Sequence, residues 1–342
     1  MPVRQPAEWD AHSAVWSAWP SDGNLWLEDL EPARSEVGAL FKAIADVDPA
    51  TGKPCGEALK ILACGNEAVA AAKAALAGTG AEVFPATFGD IWLRDTAPIF
   101  VRNGSKVEAA CFRFNGWGGK YVLESDDGVA AFVAAYAGLT ANLNNWVLEG
   151  GSIDVDGLGT ALTTRQCLLN TNRNPTLTQT DIEARLKSGL GIEKLIWLGD
   201  GLLNDHTDGH IDNIARFIAP GVVACMEPSG ADDPNRDALN AIIADLKVAT
   251  DVTGRKLDVR TIPSPGLVPD DKGEPIPASY MNFYIANTTV VVPVYGTPYD
   301  AAAGAAIARL FPGRKVVGLR ANHILTGGGS FHCITQQQPL VR

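Results

Sequence analysis

Hydrophobic positions along the chain follow two alternating periods. Leu30–Ala45 repeats its apolar residues at helical spacing, Lys60–Cys64 reads as a short buried strand, Asn66–Ala77 as an alanine-rich helix and Ala81–Pro85 as another strand. The same alternation returns downstream. Helices are predicted over Ala130–Tyr136, Asp181–Ser188 with Thr178 as its cap, Asp237–Thr250 and Asp300–Leu310. Strands are predicted over Trp146–Val155, Leu162–Thr164, Lys194–Leu198, Val222–Met226, Lys256–Ile262 and Lys315–Leu319, with two further segments in Asn282–Pro293 broken at Asn287. An apolar run ends at Val101 before a turn at Asn103–Gly104, Phe112–Tyr121 reads as a glycine- and aromatic-rich loop, and Pro263–Pro277 is a proline-rich loop. Each β-α-β unit takes about 65 residues. The stretch EGGSIDV (Glu149–Val155) is echoed by GGGSFHC (Gly327–Cys333), as repeated units with glycine-rich turns at matching places would leave behind. No linker or composition break interrupts the pattern, so residues 1–342 are expected to form one α/β domain.

Charge narrows the classes of partner. A net charge of −11 argues against a general nucleic-acid surface or an anionic membrane and favours small cations. No stretch of about 18 apolar residues is present to span a bilayer. Arg4, Glu8 and Asp10 precede any apolar run, unlike a secretion signal. The six cysteines are scattered, with no CxxC pair and no tight spacing to histidine, so neither a disulfide framework nor a metal site is expected. Reduced thiols fit a cytoplasmic protein. Four of the eight tryptophans fall in Pro6–Trp26, a density that suits packing.

Chemistry concentrates in four places. Gly327, Gly328 and Gly329 let the backbone approach a ligand closely, and Cys333 follows them as a candidate nucleophile. A cysteine hydrolase needs a histidine distant in sequence and near in space, and DHTDGHIDNIARF (Asp205–Phe217) offers one. In strand geometry Asp208, His210 and Asp212 would share a face, with Gly209 and Ile211 turned into packing. The same alternation would point His332 away from its neighbour Cys333. Asp90, Trp92, Arg94 and Asp95 form a polar cluster just before an apolar run, and Glu149 adds another carboxylate.

Together with these residues, the segments PAEWDAHSAVWSAWP, WLRDTAPIFV, FRFNGWGGKY, VLEGGSIDVDGLGT, CLLNTNRNP, HTDGHIDNIARF, ASYMNFYIAN and GGGSFHCITQQQP span nearly the whole chain in order. They resemble the agmatine deiminase family, a relative of the peptidylarginine and arginine deiminases. The resemblance implies a five-bladed α/β propeller of ββαβ modules around a central site, about 68 residues to a module. It implies Cys333 as nucleophile, His210 as acid and base, Asp95 and Asp212 as the guanidinium-binding carboxylates, and Glu149 as support for the histidine and substrate. Trp92 stands where the family has a tryptophan near the substrate, and Asp90 and Gly328 complete the expected substrate contacts. The implied reaction turns agmatine and water into N-carbamoylputrescine and ammonia, without metal or organic cofactor. Two alternatives stand beside it: a deiminase of C-terminal peptidyl-arginine or another guanidino compound, with Arg94 or Arg113 available to a substrate carboxylate, and a non-catalytic binding protein on the same fold. Departures are GGGSFHC where many relatives read GGGNIHC, RDTAP where RDTGP is common, and His206 where many carry glutamate. The last touches recognition of the substrate's far end. Self-association into a homo-oligomer is left open.

Overall fold

The computed structural model describes residues 3–341. Among the described residues, sixteen strands fall into five sheets that share one order of connection. β1 (His12–Ala18), β2 (Ala58–Ala63) and β3 (Glu82–Pro85) lie in the first, and β4 (Ile99–Asn103), β5 (Lys106–Arg113) and β6 (Ala141–Val147) make the second. β7 (Asp154–Val155), β8 (Thr160–Thr164) and β9 (Lys194–Leu198) make the third; β10 (Ala215–Ala219), β11 (Val222–Glu227) and β12 (Asp258–Pro263) the fourth. β13 (Tyr284–Ile285), β14 (Thr289–Val294) and β15 (Lys315–Arg320) make the fifth, and β16 (Gln336–Pro339) returns to the first sheet. In the second to fifth sheets the opening strand pairs antiparallel with the next, a helix crosses over, and the third strand pairs parallel. The first sheet obeys the same rule only because β16 supplies its opening strand, running antiparallel to β1 from the far end of the chain. The five sheets and this closure are those of a five-bladed α/β propeller.

Burial explains the helices and the parallel strands. Helix Leu30–Ala45 buries Ala33, Val37, Leu40, Phe41, Ile44 and Ala45 along one stripe, which faces β2, β14 and β15. Each fully buried Leu, Ile or Phe there contributes roughly 1.5–3 kcal/mol. Helix Gln179–Leu190 starts at a capping box in which Thr178 and Asp181 bond each other's backbone N–H, and it ends on Gly191 in the left-handed region. Strand β14 is apolar almost throughout because it is covered on both faces.

Three expected elements differ. Phe112 and Arg113 end a strand rather than open a loop, since the loop starts only at Phe114. The segment Trp146–Val155 is two strands separated by a turn at Gly150–Ser152, not one. The stretch around His210 is not a strand. Asp208 and Gly209 have φ of 63° and 79°, which a strand excludes, and Ile211–Asn213 is a single 3₁₀ turn. Strands β1, β10 and β16 and most of β5 have no counterpart in the sequence pattern.

Candidate active site

One geometric rule delivers the site. Each blade carries a short irregular segment just before its opening strand, and each such segment places a polar side chain toward the same centre: Asp95 before β4, Glu149 before β7, His210 and Asp212 before β10, Asn282 before β13 and Cys333 before β16. Hydrogen bonds tie these segments to one another. Arg94 N donates to Cys333 O (3.1 Å), Gly151 N to Asp95 Oδ1 (2.9 Å), and Asn282 Nδ2 to Asn213 Oδ1 (2.8 Å).

The centre is marked by a glycine. A Cβ on Gly151 would lie 2.6 Å from His210 Nδ1, 2.9 Å from Asp95 Oδ1 and 3.0 Å from Asp212 Oδ2, so three polar groups converge on space that only glycine leaves open. Asp212 Oδ2 also accepts from the Cys333 thiol at 3.5 Å. His210 Nδ1 stands 3.8 Å from Asp95 Oδ2, and neither ring nitrogen of this fully buried histidine has a hydrogen-bond partner. Asp95 Oδ2 accepts from Trp117 Nε1 at 2.9 Å. Behind His210, Glu149 accepts from Arg173 Nε at 2.8 Å and keeps its second oxygen free.

Glu149, Cys167 and His210 offer ligand atoms all within 4.8 Å of one another, the one such trio among the described residues. Their donor types would suit a soft divalent cation. The guanidinium of Arg173 on Glu149 already supplies the positive charge there, so the trio is better suited to holding a proton on His210.

Charge is distributed unevenly. Burial would lower His210, but the carboxylate of Asp95, with Cys167 and Glu149, outweighs it and raises the imidazole well above its usual range. Burial raises Asp95, with Asp212 and Glu149 adding to it against His210. Burial would raise Asp212 as well, yet the hydrogen bond and charge of His332, with His210 and Arg216, hold it low. Burial and the two carboxylates Asp212 and Asp95 push the Cys333 thiol well up. These surroundings favour the thiol over the thiolate.

A cleft of about 1140 Å³, counting its open mouth, leads from Cys333 and Asp95 to the surface. Asp90 and Trp92 lie on its wall rather than at the centre. Asp90 accepts Trp26 Nε1 (3.0 Å) and Trp92 Nε1 (2.6 Å), the two indoles stack, and burial lifts its carboxyl to about 6. Gly328 lines the cleft between Gly327 and Gly329, and a Cβ on Gly329 would meet the Trp92 ring at 2.6 Å. His206 also lines the cleft, where a Cβ on Gly328 would lie 3.3 Å from its Nδ1; that nitrogen is 3.0 Å from Tyr121 Oη, and the ring stacks on that tyrosine.

Two expectations are corrected. Asp208 does not share a face with His210 and Asp212, because its backbone turns left-handed and its carboxylate is taken by Lys120, Asn172 and Arg173. His332 does not point away from the site, because Phe331–Ile334 is a turn, and its Nδ1 lies 2.8 Å from Asp212 Oδ2.

Asn282 lies within the segment ASYMNFYIAN but is not among the expected site residues. Its Nδ2 donates to Cys333 Sγ at 3.0 Å, and its Oδ1 accepts the backbone N–H of His332 (2.9 Å) and Cys333 (3.2 Å). A short polar residue in a turn is common, and only the fold puts this one on the thiol. A hydrogen bond to a charged group is worth roughly 1.5–3 kcal/mol, so Asn282→Ala is expected to slow alkylation of Cys333 by iodoacetamide at neutral pH about 10–100-fold. The donor lowers the thiol's affinity for its proton, so its loss should move the alkylation profile to higher pH. An unmoved profile would remove Asn282 from the site.

A buried thiol, an imidazole and paired carboxylates around one point define, in chemical terms, a thiol-dependent hydrolase for a planar cation. The chain belongs to the Porphyromonas-type peptidyl-arginine deiminase family, whose profile matches residues 4–339. It is 39% identical to an agmatine deiminase of Stutzerimonas stutzeri, over 98% of this chain and 95% of that one. Among solved structures, the agmatine deiminase of Enterococcus faecalis superposes with a TM-score of 0.91 at 32% identity, covering 99% of this chain and 96% of the other. The agmatine deiminase of C. jejuni with substrate bound gives a TM-score of 0.87 at 27% identity, covering 99% and 97%.

Proposed function

We propose that the protein is an agmatine deiminase, converting agmatine and water to N-carbamoylputrescine and ammonia. The observation that carries the choice of substrate is the lining of the cleft. Glu28, Asp29, Asp90 and Asp95 contribute carboxylates, and among the described residues no lysine or arginine lines it. Arg94 is buried against Glu8 and Gln336, and Arg113 is paired with Asp127 outside the cleft, so neither is placed to meet a substrate carboxylate. Agmatine is cationic at both ends and suits such a lining; arginine and arginyl peptides bring a carboxylate into it.

The mechanism follows from the charges. A guanidinium is planar, permanently protonated and a poor electrophile. Asp95 and Asp212 pair with its N–H groups and hold its central carbon at Cys333. The arriving cation offsets the two carboxylates that hold the thiol protonated, so binding itself favours the thiolate. Thiolate attack gives a tetrahedral adduct. His210, kept protonated by Asp95, Cys167 and Glu149, gives its proton to the departing ammonia and leaves an amidino-thioether on Cys333. The neutral imidazole then takes a proton from water as it attacks the same carbon, the C–S bond breaks, and the urea product leaves. Asp90, held by two indoles on the wall, Trp92 and Gly328 line the path of the aliphatic chain.

Residues 1–342 act as one domain in this reading, which the pairing of β16 with β1 supports. Free cysteines, Cys55 among them exposed, favour a reducing compartment such as the cytoplasm; no helix among the described residues is long and apolar enough to cross a membrane. Steady-state ammonia release from agmatine, free arginine and a C-terminal arginyl peptide at matched ionic strength tests the proposal. The expected order of kcat/KM places agmatine first, and the gap should narrow as salt is added. Equal or better turnover of the peptide would overturn the substrate and leave the deiminase chemistry standing.

A further inference from the structure

Behind Asp212 lies a buried cluster that begins near the other end of the chain. Glu8 Oε2 accepts from His332 Nε2 at 2.7 Å and from Arg94 at 3.4 Å and forms an ion pair with Arg216 at 2.8 Å, while Glu8 Oε1 accepts the backbone N–H of Ile285 at 2.8 Å. The other nitrogen of His332, Nδ1, is 2.8 Å from Asp212 Oδ2. Glu8, His332 and Asp212 are all buried. A ring with a carboxylate on each nitrogen can bond both at full strength only as the imidazolium, which donates twice. Asp212 Oδ1 is left with no partner at all.

The two carboxylates at the centre are therefore held by different means. Asp95 receives neutral donors, the Trp117 indole and the Gly151 amide. Asp212 receives an imidazole that is itself fixed on a carboxylate flanked by two arginines. We propose that His332, anchored on Glu8, is a positioning residue that fixes the orientation of Asp212 and keeps it anionic, ready for the guanidinium. The directions of ionisation agree. Burial alone would raise Glu8, but Arg216, His332 and Arg94 hold it well down. Asp212 is likewise held down against its own burial while Asp95 is not. The charged and titratable groups facing Asp212 are His332, His210, Arg216, Arg94, Asp95 and Cys333. Of these, His332 alone forms a hydrogen bond to it from an imidazole.

This inference rests on the deiminase reading, and wild-type ammonia release from agmatine separates the two: no release would sink the function, whatever His332 does. With release in hand, His332→Asn and His332→Gln are compared. The Asn amide nitrogen takes the place of Nδ1 and still reaches Asp212; the Gln amide nitrogen takes the place of Nε2 and reaches only Glu8. The expected result is a kcat/KM at least about tenfold lower for the Gln variant than for the Asn variant. The acid limb of the Gln profile should also move to higher pH, because Asp212 has lost the partner that held its affinity for protons down. A turnover-independent readout is the rate of Cys333 alkylation by cationic chloroacetamidine relative to neutral chloroacetamide, which should fall in the Gln variant. Melting temperatures of both variants identify any loss of fold. Equal kcat/KM in the two, with an unmoved acid limb and an unchanged alkylation ratio, would overturn the proposal and leave His332 as packing.

Discussion

Cys333→Ala and Cys333→Ser are expected to release no ammonia from agmatine above background, while melting close to the wild type. The covalent step needs a sulfur nucleophile: a serine hydroxyl is far less acidic than a thiol, and neither ring nitrogen of His210 is hydrogen-bonded to this side chain to take its proton. The fold has little reason to notice. Cys333 is held mainly through its backbone, with its N–H on Asn282 and its carbonyl accepting from Arg94, and the exchange of sulfur for oxygen removes little volume. Serine should even keep the Asn282 contact. The remaining cysteines form an internal control. Cys55 is exposed and far from the chemistry, so Cys55→Ser should leave kcat/KM unchanged. The assay is steady-state ammonia release together with intact mass after incubation with agmatine. The wild type can acquire a transient adduct and the Cys333 variants cannot. Sustained turnover by cleanly purified Cys333→Ala would end the covalent mechanism.

Legibility in the sequence followed the physics of burial. The crossover helices and the parallel strands carry amphipathic stripes or continuous apolar runs, and Leu30–Ala45, Lys194–Leu198 and Asp300–Leu310 could be read to the residue. The opening strands were harder. β10 contains Arg216, a fully buried arginine whose charge is absorbed by Asp154 (2.5 Å) and Glu8, and a charge in five residues hides an apolar pattern. β16 is QQQP, short and polar, and it is a strand because β1 pairs with it and Trp16 Nε1 donates to Gln338 Oε1 at 2.8 Å. Closure of the ring was thus invisible locally.

The site shows the same division. Residue types that chemistry demands, a cysteine after three glycines and a histidine among carboxylates, could be named from the sequence, and they do come together. Their supporting contacts could not, because alternation rules apply to strands and the site is made of turns. Asp208 and His332 were assigned directions by strand geometry and both took others. Glu8 and Asn282 lie 325 and 51 residues from Cys333; both fall inside segments that carry the family resemblance, but neither residue type nor spacing assigns them to the site.

His210→Ala is expected to lower kcat by about 10²–10⁴-fold, the usual contribution of a positioned proton donor. An amino group is a poor leaving group until it is protonated to depart as ammonia, and His210 is the imidazolium placed to protonate it. His210 lies 3.8 Å from Asp95 with no competing hydrogen bond on either nitrogen, and its neighbours hold a proton on it well above the ordinary histidine range. The same side chain must then deprotonate water, so both halves of the reaction slow together and no single half becomes free-running. His323→Ala is the matched control. That imidazole is half exposed and paired with Asp29 at 2.7 Å near the mouth of the cleft, so its loss should change KM modestly and leave kcat in place. Single-turnover ammonia release and mass analysis of the quenched enzyme give the two half-reactions separately. A His210→Ala variant within about tenfold of wild type in kcat would place the acid and base elsewhere, and the nearest remaining candidate on Cys333 would then be the carboxyl of Asp212 at 3.5 Å.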